Sequence, residues 1–221
     1  MKGTKIASNS IWKARYIFNC RCRAIGLGTV VGYNTTVTAV YGLNLDRMRV
    51  FGIDCGTEVT GFGVVDSDDG GGTARLIPKA FGAIRLIKSK TTAERLDQVF
   101  NELGAELKRW SPDTVAIEEV FYSVNAKSAL KLGQVRGVAL LAAARQAVPV
   151  AEYAPLKIKS SVVGYGMASK EQVQFMVARL LNLDELPQPA DAADALAIAI
   201  CHIHTAQTLL AQGRLAPTVT R

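Results

Sequence analysis

Arg49-Val50-Phe51-Gly52-Ile53-Asp54 is an apolar run that closes on a carboxylate. It is short, rich in β-branched and aromatic side chains, and followed by the turn Cys55-Gly56-Thr57. That combination reads as a buried strand with Asp54 at its end. Thr114-Val115-Ala116-Ile117-Glu118 repeats the pattern and delivers a second acid. Catalytic groups in open α/β sheets collect at the carboxyl ends of strands, so two such strands predict a site.

Between these runs, residues 61–66 read as a second strand and residues 76–86 as a third, giving an antiparallel meander. The Asp/Gly cluster at 68–72 is a loop, because glycines and short acids favour turns. Residues 91–109 place Leu96, Val99, Phe100, Leu103 and Leu107 at helical spacing, and Ser111-Pro112 stops that helix. A long helix over 126–146, a strand over 149–153 and helices over 169–181 and 190–210 follow. Strands first, then alternating helices and strands, predict an α/β fold in which a mixed sheet is flanked by helices. No internal repeat is present.

Bulk properties agree with one cored domain. The 221 residues allow that domain plus an appendage, with 49% apolar and 20% charged side chains typical of globular chains. No run of about 18 apolar residues occurs, so no membrane span or membrane partner is expected. The net charge of +7 is uneven: residues 1–47 carry seven basic side chains against Asp46, leaving +1 for the remainder. Total charge therefore says little about the partner. Cys20, Cys22, Cys55 and Cys201 lack metal-ligand spacing, as expected of a reduced intracellular protein.

The expected domains are a basic extension over 1–47, a core over 48–212 and a tail over 213–221. Residues 1–47 lack sustained periodicity apart from a Val/Thr/Tyr-rich stretch at 29–41. They read as an upstream in-frame extension before Met48; their basic, acid-poor composition also suits an organelle transit peptide.

Further acids come from Asp191-Ala192-Ala193-Asp194, which opens an alanine-rich helix. Spaced i, i+3, they share a helix face, although acids in a first turn also suit the helix dipole alone. Four carboxylates in one site repel unless cations neutralise them. Oxygen ligands of this kind suit Mg²⁺ or Mn²⁺. Two such ions about 4 Å apart stabilise both attacking and leaving oxygens of a phosphoryl displacement. His202 and His204 fall about three turns further along and are not expected to be ligands.

Several motifs, in order, resemble the RuvC-type crossover junction endodeoxyribonuclease (Holliday junction resolvase) family. They are Gly52-Ile53-Asp54-x-Gly56-Thr57-x-x-Thr60-Gly61-x-Gly63, Ala116-Ile117-Glu118-Glu119-Val120-Phe121 and Leu130-Lys131-Leu132-Gly133-Gln134-x-Arg136-Gly137. Glu152-Tyr153-Ala154, Val162-Val163-Gly164-x-Gly166 and Asp191-Ala192-Ala193-Asp194-Ala195-Leu196-Ala197 complete the set. The resemblance implies an RNase H-like fold and a catalytic, metal-binding tetrad of Asp54, Glu118, Asp191 and Asp194. It implies Mg²⁺, two per active site with Mn²⁺ as a substitute. It further implies four-way junction DNA as substrate, 5′-phosphate products, a homodimer, a branch-migration helicase partner and a bacterial cytoplasmic location.

For DNA contacts the resemblance points to Phe121, which would stack on an unpaired base, worth roughly 1–3 kcal/mol. Read alone, Phe121 is better explained as a core or loop-anchoring aromatic. Lys159 and Lys170 fall where the family places basic residues near the scissile phosphate, and Lys127, Lys131 and Arg136 would flank the same groove. Gly133 and Gly137, followed by Ala139, Ala142, Ala143 and Ala144, suit either a two-fold helix contact or packing on the chain's own sheet. Two other readings stay open: another RNase H-like nuclease, or an actin, sugar-kinase or heat-shock-type ATPase using Asp54-x-Gly56-Thr57 as a phosphate loop.

Overall fold

A computed structural model describes residues 47–68, 75–119 and 126–212. Phe121, the stretch at 29–41 and the 213–221 tail lie outside these residues, as does most of the Asp/Gly loop. Five strands form one sheet in the order β3-β2-β1-β4-β5. They are β1 (Arg47–Asp54), β2 (Val59–Asp68), β3 (Arg75–Arg85), β4 (Thr114–Glu118) and β5 (Val150–Tyr153). The first three pair antiparallel, whereas β4 runs parallel to β1 and β5 parallel to β4. This is the expected mixed sheet, and β1 begins one residue before the expected core boundary.

Strand alternation divides the core into two layers. Phe51, Ile53, Val64, Val115 and Ile117 pack with Val99, Leu103 and Leu107 of α1 (Thr92–Trp110) and Val135 and Ala139 of α2 (Ala126–Arg145). The alternate residues Val50, Val65 and Ala116 pack with α3 (Pro155–Val163), α4 (Lys170–Leu180) and α5 (Ala190–Ala211). Asp54 and Glu118 follow the parity of Val50 and Ala116, so the pleat turns both acids toward the α5 layer. Register does the rest: Gly52 faces Ala116 and Ile53 faces Ile117, leaving the two acids side by side at the strand ends.

The helix α5 is the core element of that layer, with twelve buried residues from Ala192 to Ala206. By length and hydropathy it would pass for a membrane span, but most of it is enclosed by the sheet and its neighbours. It lies unusually close to the sheet because β1 and β2 offer it glycines. A Cβ on Gly52 would sit 2.0 Å from the Ala195 carbonyl oxygen, and one on Gly61 would sit 2.0 Å from that of Asp191. Gly61 pairs with Asp54 across the ladder. The helix start is thereby pressed against the strand that ends in Asp54.

Capping boxes set the starts of α1 (Thr91 with Glu94) and α4 (Ser169 with Gln172). The sequence reading missed α3, a nine-residue helix with Pro155 at its start and Gly164, at φ 82°, at its end. Its Lys157, Lys159, Ser160 and Ser161 interrupt the apolar period that would have announced it.

Gly52→Ala is expected to lower stability by at least about 2 kcal/mol, because the backbone of α5 cannot retreat from the added methyl without disturbing the core. Gly104→Ala in α1, where nothing lies within 4 Å of the added carbon, should instead stabilise by roughly 0.5–1 kcal/mol. Urea denaturation of the two variants checks the contrast. Equal effects would show that helix propensity, not the α5 contact, governs Gly52.

Candidate active site

The carboxyl ends of β1 and β4, the first turns of α5 and the facing sides of α3 and α4 enclose a cleft of about 210 Å³. Asp54, Glu118 and Asp194 line it with Lys159 and Lys170, over a wall of Ile158, Val173, Ala197 and Ile198. Asp191 lies outside this lining, yet its charge acts on both Asp54 and Asp194. Four acids from three separated segments and two lysines therefore share one electrostatic neighbourhood.

The lysines are fixed differently. Lys170 Nζ lies 2.6 Å from an Asp194 carboxylate oxygen, and that hydrogen bond, more than any other influence, raises the lysine's pKa. Lys159 Nζ donates to the Ala168 carbonyl at 2.8 Å, tying α3 to the turn before α4. Both lower the acids' proton affinity, but not enough. Burial, reinforced by Asp194, Glu118 and Asp191, pushes the Asp54 carboxyl up to about 7. Glu118 and Asp194 are also raised, burial being the larger cause in each.

Such a cluster has an unmet demand for positive charge. Its donors are all carboxylate oxygens, which suits a hard divalent cation and not zinc. Among the described residues, no three His, Cys, Asp or Glu side chains converge on one point. The acids ring the cleft, with Lys170 supplying part of the counter-charge. The donor set fits a divalent cation chemically.

The remaining expected residues separate. Arg136 does not point into the groove: its Nε donates to the Glu118 carbonyl at 3.2 Å and its Nη2 pairs with Glu152. Lys131 lines a different, smaller cavity with Thr57, Glu58, Arg95 and Gln134. Lys127 is exposed in the first turn of α2. Gly133 and Gly137 do not pack on the sheet, since added Cβ atoms would meet nothing within 4 Å; Val135, Ala139, Ala142 and Ala143 make that contact. His202 is buried, pairs with the Tyr153 hydroxyl at 2.8 Å and is lowered to about 4, as a core side chain and not a ligand. Cys55, beside Asp54, is pushed up to about 12 by burial and is no nucleophile.

A mixed five-stranded sheet with acids at adjacent strand ends, faced by a helix carrying two more, defines an RNase H-like nuclease. The sequence profile of crossover junction endodeoxyribonuclease RuvC matches residues 50–202. A crossover junction endodeoxyribonuclease RuvC from Acidobacterium capsulatum is 67% identical over 168 residues, covering 75% of this chain and 98% of that one. The Thermus thermophilus RuvC structure aligns with TM-score 0.67 and 35% identity, over 73% of this chain and 96% of that one. T. thermophilus RuvC in complex with Holliday junction substrate aligns with TM-score 0.66 and 32% identity, over the same 73% and 96%. The chain belongs to the RuvC family of crossover junction endodeoxyribonucleases.

The raised carboxyls make stability depend on pH in a defined direction. Between about pH 4 and 7 the metal-free native state holds protons that the unfolded chain releases, so these groups destabilise increasingly as pH rises. Without metal, Asp54→Asn should therefore gain stability relative to the parent from pH 4 to pH 8, on the order of 2–4 kcal/mol. Mg²⁺ should stabilise the parent more at pH 8 than at pH 5. Denaturant titrations with EDTA or Mg²⁺ read both; a pH-independent difference would mean that Asp54 is not held in this field.

Proposed function

We infer that this chain is a structure-specific DNA endonuclease that resolves four-way (Holliday) junctions by metal-dependent phosphodiester hydrolysis, in recombination and repair. The observation that carries this is the cleft lined by Asp54, Glu118 and Asp194, with Asp191 in the same electrostatic field, on a chain whose family includes the Thermus enzyme solved with its junction substrate. The ATPase reading of the Asp54-x-Gly56-Thr57 turn fails on the family match, which spans most of the sheet and its helices.

Asp54, Glu118, Asp191 and Asp194 hold the cations in this reading, as two Mg²⁺ per site with Mn²⁺ able to replace them. Bound there, the ions neutralise the acids and stabilise charge on the attacking and leaving oxygens of an in-line displacement. The chain's own groups do the positioning. Lys159 and Lys170 draw the scissile phosphate over the acids through charge-assisted contacts. Lys170, held on Asp194 in the free chain, would be able to reach a phosphate where a cation took up that carboxylate's charge. The apolar wall of Ile158 and Val173 thins the water around these contacts and so strengthens them. Phe121 stacks on an unpaired base at the crossover.

The active form is a homodimer, because two opposed strands must be cut for a junction to separate into ligatable duplexes with 5′-phosphate ends. Support comes from α2, where exposed Leu130 and Leu141 flank Gly133 and Gly137 along one open face. A second copy of that face would bury the leucines, with the glycines allowing close helix approach. A branch-migration helicase complex is the proposed partner, and the bacterial cytoplasm, where chromosomal junctions form, the proposed place of action.

Asp54→Asn should abolish strand cleavage while leaving junction affinity within about threefold, since the acid serves the cations and not the DNA. Lys170→Ala should weaken both and flatten the salt dependence of binding by about one phosphate contact. Single-turnover cleavage and gel-shift titration separate these effects. Loss of junction binding by folded Asp54→Asn protein would remove Asp54 from the catalytic role.

A further inference from the structure

Glu118 is held by more than its strand. In β4–β5 pairing Ile117 faces Glu152 and Glu118 faces Tyr153, and the Glu119 N–H donates to the Tyr153 carbonyl at 2.9 Å. Across these ends reaches Arg136 from α2, its Nε on the Glu118 carbonyl at 3.2 Å and its Nη2 on the Glu152 carboxylate. The Arg136 side chain is 16% exposed and that of Glu152 47%. A planar guanidinium engaged by two groups on neighbouring strands has little rotational freedom left. It ties the peptide that carries the β4 acid to both β5 and the helix.

We propose that Arg136 is a positioning residue for the metal site, fixing the Glu118 backbone, with Glu152 as the counter-ion that orients it. The proposal rests on the endonuclease reading for the role of Glu118. Arg136 is absent from the cleft lining, so it acts through Glu118 and not on the substrate. Its helix also carries the open Leu130–Gly133–Gly137–Leu141 face. How α2 is seated therefore bears directly on where Glu118 stands. Groups that orient a metal ligand without touching the metal are worth roughly 10–100-fold in metal affinity or activity.

The test uses the full chain and the variants Arg136→Gln, Arg136→Lys and Glu152→Gln. Mn²⁺ affinity is read by electron paramagnetic resonance without DNA, junction affinity in Ca²⁺, and cleavage in single turnovers. Arg136→Gln should weaken Mn²⁺ binding and slow cleavage, each by about 10–100-fold, with junction affinity within about twofold. Glu152→Gln should move Mn²⁺ affinity in the same direction by a smaller factor. Arg136→Lys should fall between the parent and Arg136→Gln, because one ammonium cannot span both partners as the fork does. Parental Mn²⁺ affinity in Arg136→Gln overturns the proposal. So does lost junction binding with metal affinity intact, which would make Arg136 a DNA contact. If Arg136→Gln does not fold, parental Mn²⁺ affinity in both other variants overturns it equally. A parent chain that binds Mn²⁺ but cuts no junction refutes the endonuclease reading, while the Mn²⁺ comparison still decides the role of Arg136.

Discussion

The backbone of α5 lies directly on β1 and β2, and the chemistry of this protein depends on that contact. Side chains on Gly52 or Gly61 would overlap the carbonyls of Ala195 and Asp191. Without them the helix approaches until backbone meets backbone, and its first turns stand over the end of β1. Alanines at 192, 193, 195, 197 and 199 keep the helix surface equally thin. Two acids eleven to twelve dozen residues distant in sequence from Asp54 are thereby brought into its field, a placement that larger residues at the contact would forbid.

That geometry creates an electrostatic problem whose solution is the activity. Half-buried carboxylates gathered without cations hold on to protons or borrow ammonium groups, as Asp54 and Asp194 do here. Asp54, Glu118 and Asp194 would hold a divalent cation in place of proton and lysine, and Lys170 would then have its charge available for a phosphate. In the structure Lys170 balances the acids through Asp194. The fold supplies the crowding of like charges that a bound cation would relieve.

Much of this was legible in the sequence, for physical reasons. The runs ending at Asp54 and Glu118 are strands buried on both faces, so their apolar continuity gives them away. The i, i+3 spacing of Asp191 and Asp194 fixes their shared helix face once α5 is recognised. Lys159 and Lys170 were placed by family resemblance alone: α3, which carries Lys159, is too short and too polar to show a period, and Lys170 opens a recognisable helix whose position in the fold the sequence does not give. Arg136 is a different case. A basic residue on an exposed helix gives no sign of whether its partner is a phosphate or a main-chain carbonyl, and only the folded position of Glu118 decides. The small-residue stripe of α2 was similarly ambiguous: Ala139, Ala142 and Ala143 face the core while Ala144 and the two glycines face outward.

The most direct measurement is strand cleavage of a synthetic four-way DNA junction by the full chain, beside linear duplex of the same sequence, with and without Mg²⁺. The expected result is symmetrically paired nicks in the junction that require the metal, with the duplex left uncut. A folded, dimeric preparation that cuts none of several junction sequences in Mg²⁺ or Mn²⁺ would contradict the assignment of the carboxylate cleft as a resolvase active site.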